Sequence, residues 1–381
     1  KKCGRCSTRY CGPECQKQHW EEGGHDQLCK PIKRAGGAEQ YNANTRYTEA
    51  VAVAVEECAE DTKGQTCYIC TQALHWKTKE GLVRMCACRG TAGFAHVSCL
   101  AEQAKILREE AEYNNLGLDA LNTRWMRWAV CGVCEQRYHG VVHCALGWAC
   151  WKTYVSRPEA DQARSMAMSL LGIGLRAVKR FDDALSVQET DLAMTRRRGA
   201  PEQNVLVAQS NLANSYESFG RHESALHMKG DVYSGRLRLH GEEDGRTLAS
   251  GNNYAFSLLG RERFEEAKSL WRKIMPVSRR VFGESNDLTL RMRFGYAIAL
   301  YKDAGATLDD LHEAVTALEH TARTAQRVFG GAHPLTGGIE ESLREARAAL
   351  IAREAEATEA AAQNAFRTAR VKLAQERSEL A

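Results

Sequence analysis

No apolar run in the sequence reaches the roughly 18 to 20 residues that a membrane-crossing helix needs, and the longest candidates are broken by charge within a few positions. The chain is therefore expected to be soluble, with no membrane segment, and the cytoplasm or the nucleus is the default compartment. A charge bias is also missing. The 52 Lys and Arg stand against 48 Asp and Glu, which predicts no strong attraction to nucleic acid. Cysteine is absent after Cys150, and glycine and proline are absent beyond about 340. An initiator Met and a signal peptide are lacking too: the sequence opens at Lys1 inside a cysteine motif, and the expectation is a fragment of a longer product. At 381 residues the chain is too long for one ordinary core, so several modules are expected.

The 15 cysteines crowd into the first 150 residues as close pairs with interleaved histidines. Metal thiolates explain that spacing better than the disulfides of a small secreted domain. The text CYIC at Cys67 to Cys70 is followed by Cys86 and Cys88, by His96 and Cys99, and by Cys131 and Cys134. A two-residue gap lets one turn aim two side chains at one zinc ion, and each ion takes four thiolate or imidazole ligands. Eight ligands imply two sites with no open position for water. The metal is thus expected to build a surface rather than to hydrolyse a substrate.

The single-residue gap of the second pair and the seven residues between Cys88 and His96 distinguish this pattern from a PHD finger, and MCACRGTAGFAHVSCL closely resembles the RING-CH family. The resemblance implies a cross-brace, with Cys67, Cys70, His96 and Cys99 on one ion and Cys86, Cys88, Cys131 and Cys134 on the other. It also implies docking of a ubiquitin-conjugating enzyme charged with ubiquitin, through Ile69 in the first zinc loop and an aromatic before the last pair, Trp125 or Trp128. Core packing is the competing role for the two tryptophans. CGVC lacks the proline common in the last loop of active RINGs, and Glu135 follows the final ligand. A helix is expected from Leu100 to roughly Ala111, and a surface loop around Asn114 to Asn122.

Upstream, Cys3, Cys6, Cys11, Cys15, His25 and Cys29, in the text CGRC, YC, PEC and HWEEGGHDQLC, resemble the MYND zinc finger without its first pair. The resemblance implies one complete zinc site, Cys3, Cys6, His25 and Cys29, and one incomplete site at Cys11 and Cys15. His19 normally lies outside that coordination shell. MYND modules bind short proline-containing peptides; the alternative is a cap on a following helix, Glu39 to about Glu60. Cys58, Cys144 and Cys150 fall outside both patterns. HGVVHCALGWACW reads as a segment packed on the second module, with a third metal site at His139 and His143 as the weaker reading.

Self-alignment reveals a period near 42 residues. HGEEDGRT, FGESNDLT and FGGAHPLT place Gly241, Gly283 and Gly330 six residues before Thr247, Thr289 and Thr336, while KRFDDAL, GRHESAL and RERFEEA align Ala184, Ala225 and Ala267. Each unit reads as two amphipathic helices, with Gly220 and Gly260 in the turn between them and an insertion near Asp303 to Asp310. The pattern resembles the tetratricopeptide repeats of kinesin light chains. That resemblance implies an α-solenoid with a groove for a peptide or protein substrate, or else a spacer. Arginines at 196–198, 236, 238, 279 and 280 suit the helix dipole better than an acidic-peptide site.

The expected architecture is mainly α: two small cross-braced zinc-finger modules, a tetratricopeptide α-solenoid and a long C-terminal helix. The expected spans are a MYND-type finger at 1–30, a helical linker at 31–62, RING-CH at 63–137 and a packed connecting segment at 138–160. Repeats follow at 161–340 and a charged helix at 341–381. The function expected from these resemblances is a RING-type ubiquitin ligase without a nucleophile of its own; the alternative is a non-catalytic scaffold. A lysine methyltransferase is disfavoured, since no SET-type text is found.

Overall fold

The computed structural model describes residues 2–379; Lys1 of the expected first module and residues 380 and 381 of the expected last helix lie outside them. The chain is 71% helical, and among the described residues the β structure is limited to isolated bridges, Lys2 with Arg9, Val83 with Ala95 and Val130 with Arg137. The helices are α1 (Pro13–Glu21), α2 (His25–Ala35), α3 (Ala38–Glu57), α4 (Val97–Tyr113), α5 (Leu118–Trp125), α6 (Gly140–Tyr154), α7 (Gln162–Ala177) and α8 (Phe181–Arg197). They continue as α9 (Glu202–Ser218), α10 (His222–His240), α11 (Gly245–Gly260), α12 (Phe264–Phe282), α13 (Asp287–Lys302), α14 (Leu308–Phe329) and α15 (Pro334–Glu379). None of the described helices is long and apolar enough to cross a membrane. Two compact units divide inside α10, at Met228 and Lys229.

One core of the first unit joins α3, α4 and α6. Helix α3 buries Ala43, Tyr47, Val51 and Ala54, spaced four, four and three apart so that they share a face. Helix α6 is apolar almost all round, with Val142, Cys144, Leu146, Ala149, Cys150 and Tyr154 buried, because it is covered on several sides by α3, α4 and α7. Its contact with α7 is backbone to backbone. A Cβ on Gly174 would meet the Cys144 Cα at 2.9 Å, so only glycine allows the two helices to lie this close. Cys67, Val83, Phe94, Cys99, Leu100, Trp128 and Cys131 belong to the same core as α3 and α6. The central cysteine module is thus built into a larger body.

The residues around Asn114 to Asn122 correct the sequence reading. The chain turns at Asn114 to Gly117 and then forms α5, which docks on α4. Arg124 donates to the Leu107 carbonyl at 3.3 Å and to Glu110 at 2.6 Å, and Arg108 donates to the Leu121 carbonyl at 3.5 Å. These tertiary partners are far along the chain, so local text alone suggested a loop.

Consecutive helices pack on one another from α7 to α9 in the first unit and from α11 to α15 in the second. Asp161, Asp244 and Asn286 cap α7, α11 and α13 by accepting backbone N–H bonds, and Gly241, Gly283 and Gly330 follow the ends of α10, α12 and α14 with φ of +79°, +85° and +85°. Ala184, Ala225 and Ala267 are buried at the helix contacts, as are Thr247, Thr289 and Thr336. Gly260 is a correction: it ends α11, and the left-handed turn residue is Glu262, equivalent to Lys179 and Gly220. The insertion near Asp303 to Asp310 is a short loop closed by a capping box between Thr307 and Asp310. Helix α15 starts at Pro334 rather than near 341, because His333 accepts from Leu335 N at 3.2 Å and no helix breaker follows Gly338. Several of the end-of-helix arginines pair locally: Arg197 with Glu159, Arg279 with Glu284, and Arg280 with Glu243.

Candidate metal centres

Three groups of four side chains converge so that their ligand atoms all lie within 4.8 Å of one another: Cys3, Cys6, His25 and Cys29; Cys67, Cys70, His96 and Cys99; and Cys86, Cys88, Cys131 and Cys134. In the second and third groups, the first and third pairs along the chain meet, and the second and fourth meet.

One local turn is used three times to aim these ligands. After Cys3, Cys67 and Cys131, the N–H of Ser7, Thr71 and Glu135 returns to the carbonyl of the first cysteine at 3.0, 2.8 and 3.1 Å. Each cysteine N–H in turn donates to the carbonyl of Thr8, Gln72 or Gln136. Closing so tight a knuckle sends Ser7, Thr71 and Glu135 into the left-handed region, at φ of +62°, +62° and +57°. Within the loop, Ile69 N donates to Cys67 Sγ and Val133 N donates to Cys131 Sγ, each at 3.4 Å. A thiolate with a backbone N–H aimed at it is held in the form that binds metal.

His96 precedes α4 in extended backbone, and its Nδ1 sits 3.4 Å from Cys70 Sγ and 3.5 Å from Cys99 Sγ. Its Nε2 donates to the Ala73 carbonyl at 3.3 Å, which selects the tautomer with a free lone pair on Nδ1. Burial holds the imidazole below its ordinary pKa, favouring the neutral form a metal requires. In the first group, Cys6 Sγ lies 3.4 Å from His25 Nε2 and Cys3 Sγ 3.9 Å from Cys29 Sγ. In the last group, Cys88 and Cys131 sulfurs are 3.7 Å apart. Burial pushes the Cys88 thiol up to about 12, and burial with hydrogen bonding to Cys3 and Cys6 pushes Cys29 up to about 11. Gathering three or four sulfurs in this way favours a dication that lets them ionise together.

Zinc fits this donor set. With Zn–S near 2.3 Å and Zn–N near 2.0–2.1 Å, a tetrahedron has S–S edges of about 3.8 Å and N–S edges of about 3.5 Å. The separations of 3.4 to 3.9 Å match those edges and are far too long for disulfides.

Cys11 and Cys15 are exposed and belong to no group of three or more ligands among the described residues. His19 is engaged by the Tyr10 hydroxyl at 3.0 Å and likewise joins no such group. Cys58, Cys144 and Cys150 are buried thiols outside the groups, and neither His139 nor His143 enters one.

The two tryptophans correct the expectation of a docking aromatic. Trp125 is 8% exposed and Trp128 is fully buried, both packed with Tyr154. Helix α5 and the turn after it roll their indoles inward under α4 and α6, leaving neither ring on the surface. Ile69 is half-buried against the core. Within the Cys-x-x-Cys loops themselves the exposed apolar groups are instead its neighbour Tyr68, at 37%, and Val133, at 48%. These loops adjoin: a Cβ on Gly132 would lie 3.5 Å from the Tyr68 hydroxyl. Both residues lie inside the Cys-x-x-Cys texts, where spacing marks the ligands and says nothing of which intervening side chain faces outward.

Residues 1–29 match the MYND finger model, residues 67–112 the RING-variant domain, and residues 247–287 the tetratricopeptide repeat. The chain thus combines metal-binding zinc-finger modules with helical repeats. Those segments are thus similar to a MYND finger, a RING-variant domain and a tetratricopeptide repeat. No curated protein matches the chain. Among solved structures it is similar to a Podosopora anserina protein assigned as a kinesin light chain with nearly identical TPR-like repeats. A single-substitution form of that protein is 17% identical, with a TM-score of 0.38, over 61% of this chain and 97% of that one. The other form has the same identity and coverage at a TM-score of 0.37. BtubC (BKLC) from P. vanneervenii is 14% identical with a TM-score of 0.37, over 67% of this chain and 90% of that one.

Proposed function

We propose that the chain is a zinc-built ubiquitin ligase of the RING-CH type, holding one zinc in each of its three four-ligand groups. The carrying observation is the exposed apolar pair Tyr68 and Val133, presented by adjoining zinc loops with Ile69 half-buried beside them. A rigid apolar spot on a metal-fixed surface suits docking of a ubiquitin-conjugating enzyme. Such a ligase needs no nucleophile of its own: it holds the thioester conjugate where a substrate lysine can attack. Zinc supplies rigidity here, while this chain's own groups orient the loops through the His96 to Ala73 bond and the three N–H-closed knuckles.

The MYND finger and the repeats would select the substrate. In the second unit, a cleft of about 500 Å³ lined by Glu284, Ser285, His320, Arg323, Thr324 and Arg327 offers polar groups to a peptide. A compartment containing the conjugation system, cytoplasm or nucleus, follows from this reading.

A non-catalytic scaffold is the second reading. It is favoured by the inward rotation of Trp125 and Trp128, which leaves the docking surface smaller than the sequence suggested.

The test is ubiquitin transfer by the zinc-loaded full chain with a panel of conjugating enzymes, alongside Val133→Asp and Tyr68→Ala. Loss of about 2 kcal/mol of docking energy, roughly thirtyfold, is expected for Val133→Asp at unchanged zinc content. Folded, zinc-loaded wild type that transfers nothing with any conjugating enzyme overturns the ligase reading in favour of the scaffold.

A further inference from the structure

We infer that α15 is a self-association element, pairing antiparallel with the α15 of a second copy of this chain about a centre at Ala362. This inference is independent of the ligase reading and rests on the second unit alone.

Ala346 is the last fully buried residue of α15 among the described side chains, yet the helix runs on to Glu379, and residues 351–370 are all exposed. Its first turns are anchored: Glu345 accepts from the Tyr301 hydroxyl at 2.7 Å, Arg347 pairs with Glu319 at 2.6 Å, and Glu354 reaches His312 at 3.6 Å. Beyond them, an isolated helix depends on propensity alone unless a partner covers it.

The uncovered part carries a stripe. At 100° per residue, Ile351, Ala355, Ala362, Phe366, Ala369 and Leu373 fall within an arc of about 60°. Ile351, Phe366 and Leu373 are 66%, 72% and 58% exposed. Ala355, Ala362 and Ala369 recur every seven residues, a seam of small side chains that lets two helices approach closely.

Two features select the partner and the direction. The stripe is self-complementary on reversal: about Ala362, Ile351 opposes Leu373, Ala355 opposes Ala369, and Thr358 opposes Phe366. Charge is biased in the same sense: over 351–361 Glu354, Glu356 and Glu359 outweigh the single Arg353, and over 363–373 Arg367, Arg370 and Lys372 stand without an acidic residue. Antiparallel pairing of identical helices sets the acidic half of each beside the basic half of the other. Parallel pairing sets like against like.

The experiment is analytical ultracentrifugation of the full zinc-loaded chain over a wide range of concentration. The expected result is a reversible species of twice the 42.4 kDa monomer. The double variant Phe366→Glu, Leu373→Glu should lose that species while keeping its zinc and its thermal transitions. Because those changes alter charge as well as apolar surface, a second variant tests the register. Arg367→Glu, Arg370→Glu and Lys372→Glu together should abolish self-association and form mixed dimers with a chain carrying Glu354→Lys, Glu356→Lys and Glu359→Lys. A monomer at all concentrations overturns the inference, as does a dimer that survives the Phe366 and Leu373 changes. A dimer indifferent to the charge changes overturns the antiparallel register.

Discussion

Gly93 lies against Cys88: a Cβ on the glycine would stand 2.6 Å from the cysteine Sγ and 3.5 Å from the Sγ of Cys86. The backbone there is also left-handed, at φ +82°. Both facts reserve the position for glycine, since a side chain would push one sulfur out of its tetrahedron. Gly93→Ala is therefore expected to cost about one zinc ion per chain, measured by elemental analysis, with the other groups still loaded.

Removal of metal should act unevenly. The Cys67 and Cys131 ligands sit in the same core as α3, α4 and α6, so a strong chelator should melt that unit. The core of α13, α14 and α15 contains no cysteine and should persist. Each structural zinc contributes on the order of 10 kcal/mol. Far-UV circular dichroism is expected to retain a large helical signal after chelation, with only the second unit's thermal transition remaining.

His143 supplies a pH dependence. Its side chain is buried, Nε2 has no hydrogen-bond partner, and burial, aided by Arg137, Arg176 and His139, holds its pKa down to about 4. The unfolded chain takes up this proton near pH 6.5, so the folded state loses stability as pH falls from about 6.5 toward 4, by about 3 kcal/mol in full. His143→Leu should flatten that part of the profile. Denaturant midpoints at about pH 7 and about pH 5.5, compared between variant and wild type, separate it from acid release of metal.

In the second unit, Trp271 is fully buried and its Nε1 donates to Asn252 Oδ1 at 3.0 Å. Asn252→Ala strands that donor and is expected to cost about 1–3 kcal/mol. Trp271→Ala opens a cavity worth about 3–5 kcal/mol. Neither should change zinc content, which calorimetry combined with elemental analysis would check.

The ligand groups were legible because a metal imposes spacing on the chain: a cysteine pair two apart marks a turn wherever it occurs. Repeat phase was legible for a similar reason, since glycine after α10, α12 and α14 is a backbone requirement that sequence must meet. What sequence concealed depended on distant partners. Helix α5 exists where Arg124 finds Glu110 and the Leu107 carbonyl, and the indoles of Trp125 and Trp128 turn inward because α6 supplies Tyr154. The left-handed residue closing each knuckle was hidden as well, being Ser7, Thr71 or Glu135 where glycine would have announced it.

The fusion of α6 to both neighbours has a geometric corollary. With no pliable tether between the zinc loops and α7 to α9, anything gripped by those helices hangs at a fixed bearing and distance from Tyr68 and Val133. On the proposed ligase reading the chain would act as a calliper, modifying lysines by their position on the captured protein rather than by the residues around them, and lengthening the turn between α6 and α7 would move the mark.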